Sequence, residues 1–91
     1  MAEISADVRA RLLRDYPGET HFEAMRLVEA LHFDARVLRS IVYLAEGDFE
    51  QLARLARLAE LDWHDVVFWA EYDDHDAEQP RRVRSMEDPL P

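Results

Sequence analysis

Helix-starting and helix-stopping residues cut this sequence into short pieces. Ser5, Asp34, Asp48 and Asp62 each stand just ahead of an apolar-periodic run, where a side-chain oxygen can accept from an orphan amide of the first turn. Tyr16-Pro17-Gly18 and Gly47 are the matching stops. The residue before a proline is pushed out of the α region, and glycine readily takes the left-handed conformation that closes a helix. Punctuation this frequent predicts an all-α fold: a compact bundle of four to five short helices.

Helix 1 is predicted over about Ala6 to Asp15, with Val8, Leu12 and Tyr16 sharing a face. Helix 2 opens on Thr20-His21-Phe22-Glu23, which has the form of a capping box. Phe22, Met25, Val28 and Leu31, recurring at spacing three, give its core face, widened by Leu27 and Ala30. Helix 3 covers about Ala35 to Ala45 and buries Val37, Leu38, Ile41 and Val42, with Phe33 and Leu38 spaced as a hydrophobic staple. Helix 4 follows Asp48, turning Phe49, Leu52, Ala53 and Ala56 inward, and Leu61 with Val66 would staple the start of a fifth. Residues 1–73 thus read as one helical domain, as expected of a 91-residue chain. Residues 74–91 lack periodicity and are rich in proline, which predicts a flexible acidic C-terminal tail.

The segment Trp63 to Tyr72 is the unusual one. Only His64, Asp65 and Glu71 are polar within it. Trp63, Val66, Val67 and Ala70 form a core face, while Phe68, Trp69 and Tyr72 lie on the other side. Val66-Val67-Phe68-Trp69 also has strand propensity, as does Ile41-Val42-Tyr43, so a two-stranded pairing competes with the helix. The helix-start signal at Asp62 favours the helix. An apolar second face either wedges between neighbours in the same chain or is covered by something else, and a domain this small offers few neighbours.

Charge sharpens this picture. Net charge is −9, and residues 60–78 hold eight acids (Glu60, Asp62, Asp65, Glu71, Asp73, Asp74, Asp76 and Glu78) and no arginine. Such a surface repels nucleic acid and suits basic partners or plain solubility. All eleven basic residues are arginine, and lysine and asparagine are both missing, a usage expected of a GC-rich bacterial genome.

Several chemistries are disfavoured. Without cysteine there is neither disulfide nor thiolate chemistry. No apolar run approaches the length of a membrane span, so a cytoplasmic location is expected. No nucleophile motif or phosphate-cradling glycine loop occurs, and neither catalytic residues nor a cofactor are assigned. His64 with Glu71 is the best carboxylate–histidine pair for a metal, but the spacing matches no established ligand motif, and no metal site is assigned. Helix 3, the Gly47 turn and helix 4 have helix-turn-helix proportions. Arg54 and Arg57 would be the DNA contacts, yet the leading Glu50 would face phosphate, so nucleic acid is an unlikely partner.

Leu44-Ala45-Glu46-Gly47-Asp48, with Asp62-Trp63-His64-Asp65-Val66-Val67-Phe68-Trp69-Ala70-Glu71-Tyr72-Asp73, resembles a group of small uncharacterised bacterial proteins. They share a leucine-alanine-x-glycine-aspartate turn and a tryptophan-alanine-glutamate-tyrosine segment. The resemblance covers about half the chain and implies no activity, cofactor or partner. The function expected from the residues is therefore a non-catalytic protein–protein interaction or regulatory role, with another protein or by self-association. Phe68, Trp69 and Tyr72 would be the anchors, and Asp65, Glu71 and Asp73 the acidic rim.

Overall fold

A computed structural model describes residues 4–73 and 75–91. Among these, four helices carry the fold: α1 (Ala6–Asp15), α2 (Glu19–Glu29), α3 (Ala35–Ala45) and α4 (Phe49–Glu71). Two short strands, β1 (Tyr72–Asp73) and β2 (Arg81–Arg82), pair antiparallel with Tyr72 opposite Arg82. None of the helices is long and apolar enough to cross a membrane.

Local signals place most helix ends. Asp34 Oδ1 accepts from the Val37 amide at 3.1 Å, and Asp48 Oδ1 accepts from Glu50 and Gln51 at 2.9 and 3.3 Å. Ser5 occupies the position before α1 in extended conformation, but makes no side-chain bond to the helix. Glu46 (φ 50°) and Gly47 (φ 79°) both adopt positive φ between α3 and α4. A Cβ on Gly47 would lie 3.3 Å from the Asp15 carbonyl oxygen, so this turn also sets how closely it approaches the end of α1.

The expected fourth and fifth helices form one bent element. Asp62 leaves the helical region (φ −158°, ψ 97°) in the middle of α4, and its Oδ1 accepts from the His64 amide at 3.0 Å. It caps the second half, as its sequence position suggested, without a loop to separate the halves. The segment after it is helical through Glu71, and strand structure is confined to the two residues that follow.

Helix 2 departs from expectation at its start. It begins at Glu19 with Gly18 (φ 69°) as the capping position, so Thr20 lies inside the first turn and the Thr20–Glu23 capping box does not form. Ala24, Met25, Val28 and Leu31 are buried, but Phe22 is 68% exposed. The reason is geometric. An α-helix turns ~100° per residue, so strict spacing of three drifts ~60° per step, and Phe22 ends about half a revolution from Leu31. The same rotation undoes the expected Leu61–Val66 staple. Leu61 lies nine residues after buried Leu52, about 180° around α4, and is 84% exposed.

The core is a single cluster from all four helices, centred on α3 packed along α4. It includes Val8, Leu12, Val28, Leu38, Ile41, Leu52, Val66 and Ala70. Tyr16 is buried at its edge, with its hydroxyl directed at the Asp48 carbonyl (3.4 Å) and its ring edge-on to Phe49. Met86 and Leu90 also belong to the core. Residues 81–91 are thus seated on the bundle, where the sequence suggested a loose tail. Two apolar side chains in a polar stretch carry no period, so nothing local announces their burial.

Candidate functional site

The bend at Asp62 shapes the end of the molecule where the candidate residues gather. Asp62 Oδ1 also lies 3.2 Å from His64 Nδ1, and the His64 ring stacks on Trp63 with centroids 3.6 Å apart. Trp63 was expected in the core. It occupies the first turn after the bend, beyond the reach of α3, and is 38% exposed. An open groove of about 550 Å³ runs between Leu31, His32 and Phe33 on one side and Leu61, Trp63 and His64 on the other.

Phe68 and Tyr72 stack with ring centroids 5.1 Å apart and planes 28° from parallel. The His75 ring lies 5.2 Å from Phe68, and a His75 ring nitrogen contacts the Tyr72 carbonyl oxygen. With Trp63 and His64 these rings line a notch of about 160 Å³ whose wall also holds Arg36 and Glu71. Trp69 is 36% exposed and does not line the notch. Being adjacent to Phe68, it projects ~100° away around the helix. The three aromatics assigned to one face therefore occupy two flanks. Asp65 and Asp73 are exposed, as a rim requires.

Glu71 is not part of that rim. Its side chain is fully buried and its carboxylate is the most heavily bonded acid of the site. Arg36 donates to it through Nε (3.0 Å) and Nη2 (2.8 Å), the Met86 amide donates at 2.9 Å, and Arg82 Nη2 lies 3.2 Å away. Burial alone would raise its pKa. The bonds from Arg36 and the Met86 amide and the charges of Arg36 and Arg82 outweigh burial, and hold it below the usual glutamate value. Its backbone carbonyl takes the Val83 and Arg84 amides, and Arg84 Nη1 donates to the Ala70 carbonyl at 2.6 Å. A second clamp lies further along: Asp7 accepts from Arg39 at 2.8 and 3.0 Å and from the Leu90 amide at 3.0 Å. Arg39, despite the counteracting burial, holds Asp7 well below the usual carboxylate range.

These bonds bear on the other chemistries considered. Both Glu71 oxygens are engaged by donors, so it is available neither as a base nor as a ligand beside His64. Among the described residues no three histidine, aspartate or glutamate side chains converge as a metal-binding group. Arg54 and Arg57 are exposed one turn apart on α4, with Glu50 also exposed at its leading end.

Sequence reasoning missed Arg36, Arg39, Asp7, Arg82 and Met86. One signal was present: Glu71 follows Val67 by four positions, so the core stripe runs straight into a carboxylate, and a carboxylate in that position demands a cationic partner. No family model, curated protein or solved structure matches the chain.

Proposed function

We propose that the protein is a non-catalytic interaction module. It docks a protein partner, in the simplest form a second copy of itself, through the aromatic surface of its last helical segment. The observation that carries this reading is the pair of partly exposed tryptophans, Trp63 and Trp69, on one short segment next to exposed Leu61. Large aromatics contribute most when fully desolvated at an interface, and leaving two of them half-covered wastes burial a small domain needs. Glu71 ties the same segment to α3 and to residues 81–91, so the surface is preorganised and loses little freedom on docking. Asp65 and Asp73 remain as its exposed acidic rim.

Sedimentation equilibrium tests the self-association form. The weight-average mass is expected to rise with concentration, and Trp63→Ala and Trp69→Ala to shift it back toward monomer without lowering the melting temperature. A wild-type chain still monomeric at about 1 mM, where an interface worth ~4 kcal/mol is half assembled, rules out the homodimer and leaves a different protein as partner. Acrylamide quenching tests the surface itself. Emission unresponsive to quencher in the monomer would mean that both indoles are covered within the chain, and the reading fails.

A further inference from the structure

The interaction surface, taken as proposed above, also carries information about what it receives. Its deepest point is the notch lined by Trp63, His64, Phe68 and Tyr72, and nothing in the described chain fills it. Around it the surface is of one sign. Glu60, Asp62, Asp65, Asp73, Asp76 and Glu78 are all exposed, and residues 60–78 contain no arginine. Asp65 precedes Phe68 and Trp69 by three and four residues, which places a carboxylate beside the aromatic rings on the helix surface. Aromatic faces next to carboxylates are the environment that attracts a cation twice, through the ring quadrupole and through charge.

The molecule already uses this chemistry on itself. The Arg84 guanidinium carbon sits 4.9 Å from the centroid of the Tyr43 ring. The Arg81–Arg82 strand pairs with Tyr72–Asp73, and Arg82 reaches Glu71. An arginine-bearing extended segment is thus seated along one side of the acidic, aromatic end, while the Trp63–Phe68–Tyr72 side stays open. We propose that this open side receives an arginine-rich extended segment of a protein partner, with one guanidinium in the notch and its neighbours on the Asp62, Asp65 and Asp73 carboxylates. Arginine is favoured over lysine because its planar fork can stack on a ring and bond a carboxylate at once.

Titration of the full chain with short capped peptides, followed by tryptophan emission, tests this. Oligo-arginine is expected to bind several-fold more tightly than oligo-lysine, a glycine–serine peptide not to bind, and affinity to fall steeply between about 20 mM and 500 mM salt. Phe68→Leu leaves the net charge unchanged and should erase the preference for arginine. Asp65→Asn should weaken binding about fivefold to tenfold, whereas Glu23→Gln, an equal charge change on α2, should weaken it less than about twofold. Circular dichroism and melting confirm that each variant is folded. Equal binding of arginine and lysine peptides, equal effects of the two charge variants, or no binding at low salt would each overturn the inference. If oligo-arginine fails while Trp63→Ala still disrupts association, the interaction surface stands and only its assigned occupant falls. If it binds with the predicted preferences but the chain never self-associates, the occupant stands and the homodimer falls.

Discussion

Arg36 grips Glu71 with two parallel hydrogen bonds, Nε to Oε2 at 3.0 Å and Nη2 to Oε1 at 2.8 Å, across 35 positions of sequence. This fork joins the first turn of α3 to the last turn of α4, and from the same carboxylate the Met86 amide draws the C-terminal segment onto the bundle. A buried carboxylate is costly unless every lone pair is engaged, and here Arg36, Arg82 and a backbone amide engage them. Three parts of the chain depend on one side chain.

Removing that side chain should therefore be felt in two ways. Glu71→Ala is expected to cost about 3 kcal/mol, the low end for breaking a buried pair, because Arg36 is partly exposed and can recover some hydration. It should also loosen residues 81–91, so that trypsin cleaves at Arg81, Arg82 or Arg84 much faster than in the wild type. Urea unfolding and timed proteolysis measure the two effects. Stability lost with unchanged proteolysis would mean that the C-terminal segment is held by Met86, Leu90 and the Asp7–Arg39 clamp instead.

The pH dependence follows from the directions of the shifts. Asp7 and Glu71 are both more acidic in the folded chain than their ordinary values of 3.8 and 4.5. Their contribution to stability is therefore present in full above those values and is lost as pH falls below them through the folded pKa values. The urea midpoint should stay level from neutrality to about pH 5 and then decline, with Asp7→Asn flattening the acid limb. At the other end, burial, reinforced by the Asp15 and Asp48 charges, pushes the Tyr16 phenol from 10.0 up to about 12. The folded chain keeps that proton longer than the unfolded chain, so stability should fall between pH 10 and 12, and Tyr16→Phe should blunt this loss.

Helix 2 supplies a test of rotational register. Phe22→Ser, on the exposed flank, should change stability by no more than about 0.5 kcal/mol, as is usual for surface positions. Val28→Ala, on the buried flank of the same helix, should cost about 1–3 kcal/mol by creating a cavity. Thermal melts of the two variants check the assignment, and the reverse order would place Phe22 in the core.

The helices were legible because their signals are local. Pro17 and Gly47 end helices, and Asp34, Asp48 and Asp62 cap them, through atoms only a few residues away. The candidate surface was only half legible. Trp69, Asp65 and Asp73 are exposed as expected, but Glu71 is buried, Phe68 and Tyr72 share a notch with Trp63, and Trp69 stands on another flank. Spacing in sequence shows which residues share a helix face, whereas the neighbouring elements decide which face is covered.

For the apolar, acidic stretch from Glu60 to Glu78, then, the sequence by itself determined that a helix starts at Asp62, that aromatics line more than one side of it, and that negative charge surrounds them. The tertiary structure decided which of these groups meet water. Arg36 comes to Glu71 from 35 residues away and the Leu90 amide to Asp7 from 83, and together they turn a stretch without periodicity into part of the core. Such pairings depend on the arrangement of whole elements, and that arrangement exists only once the chain has folded.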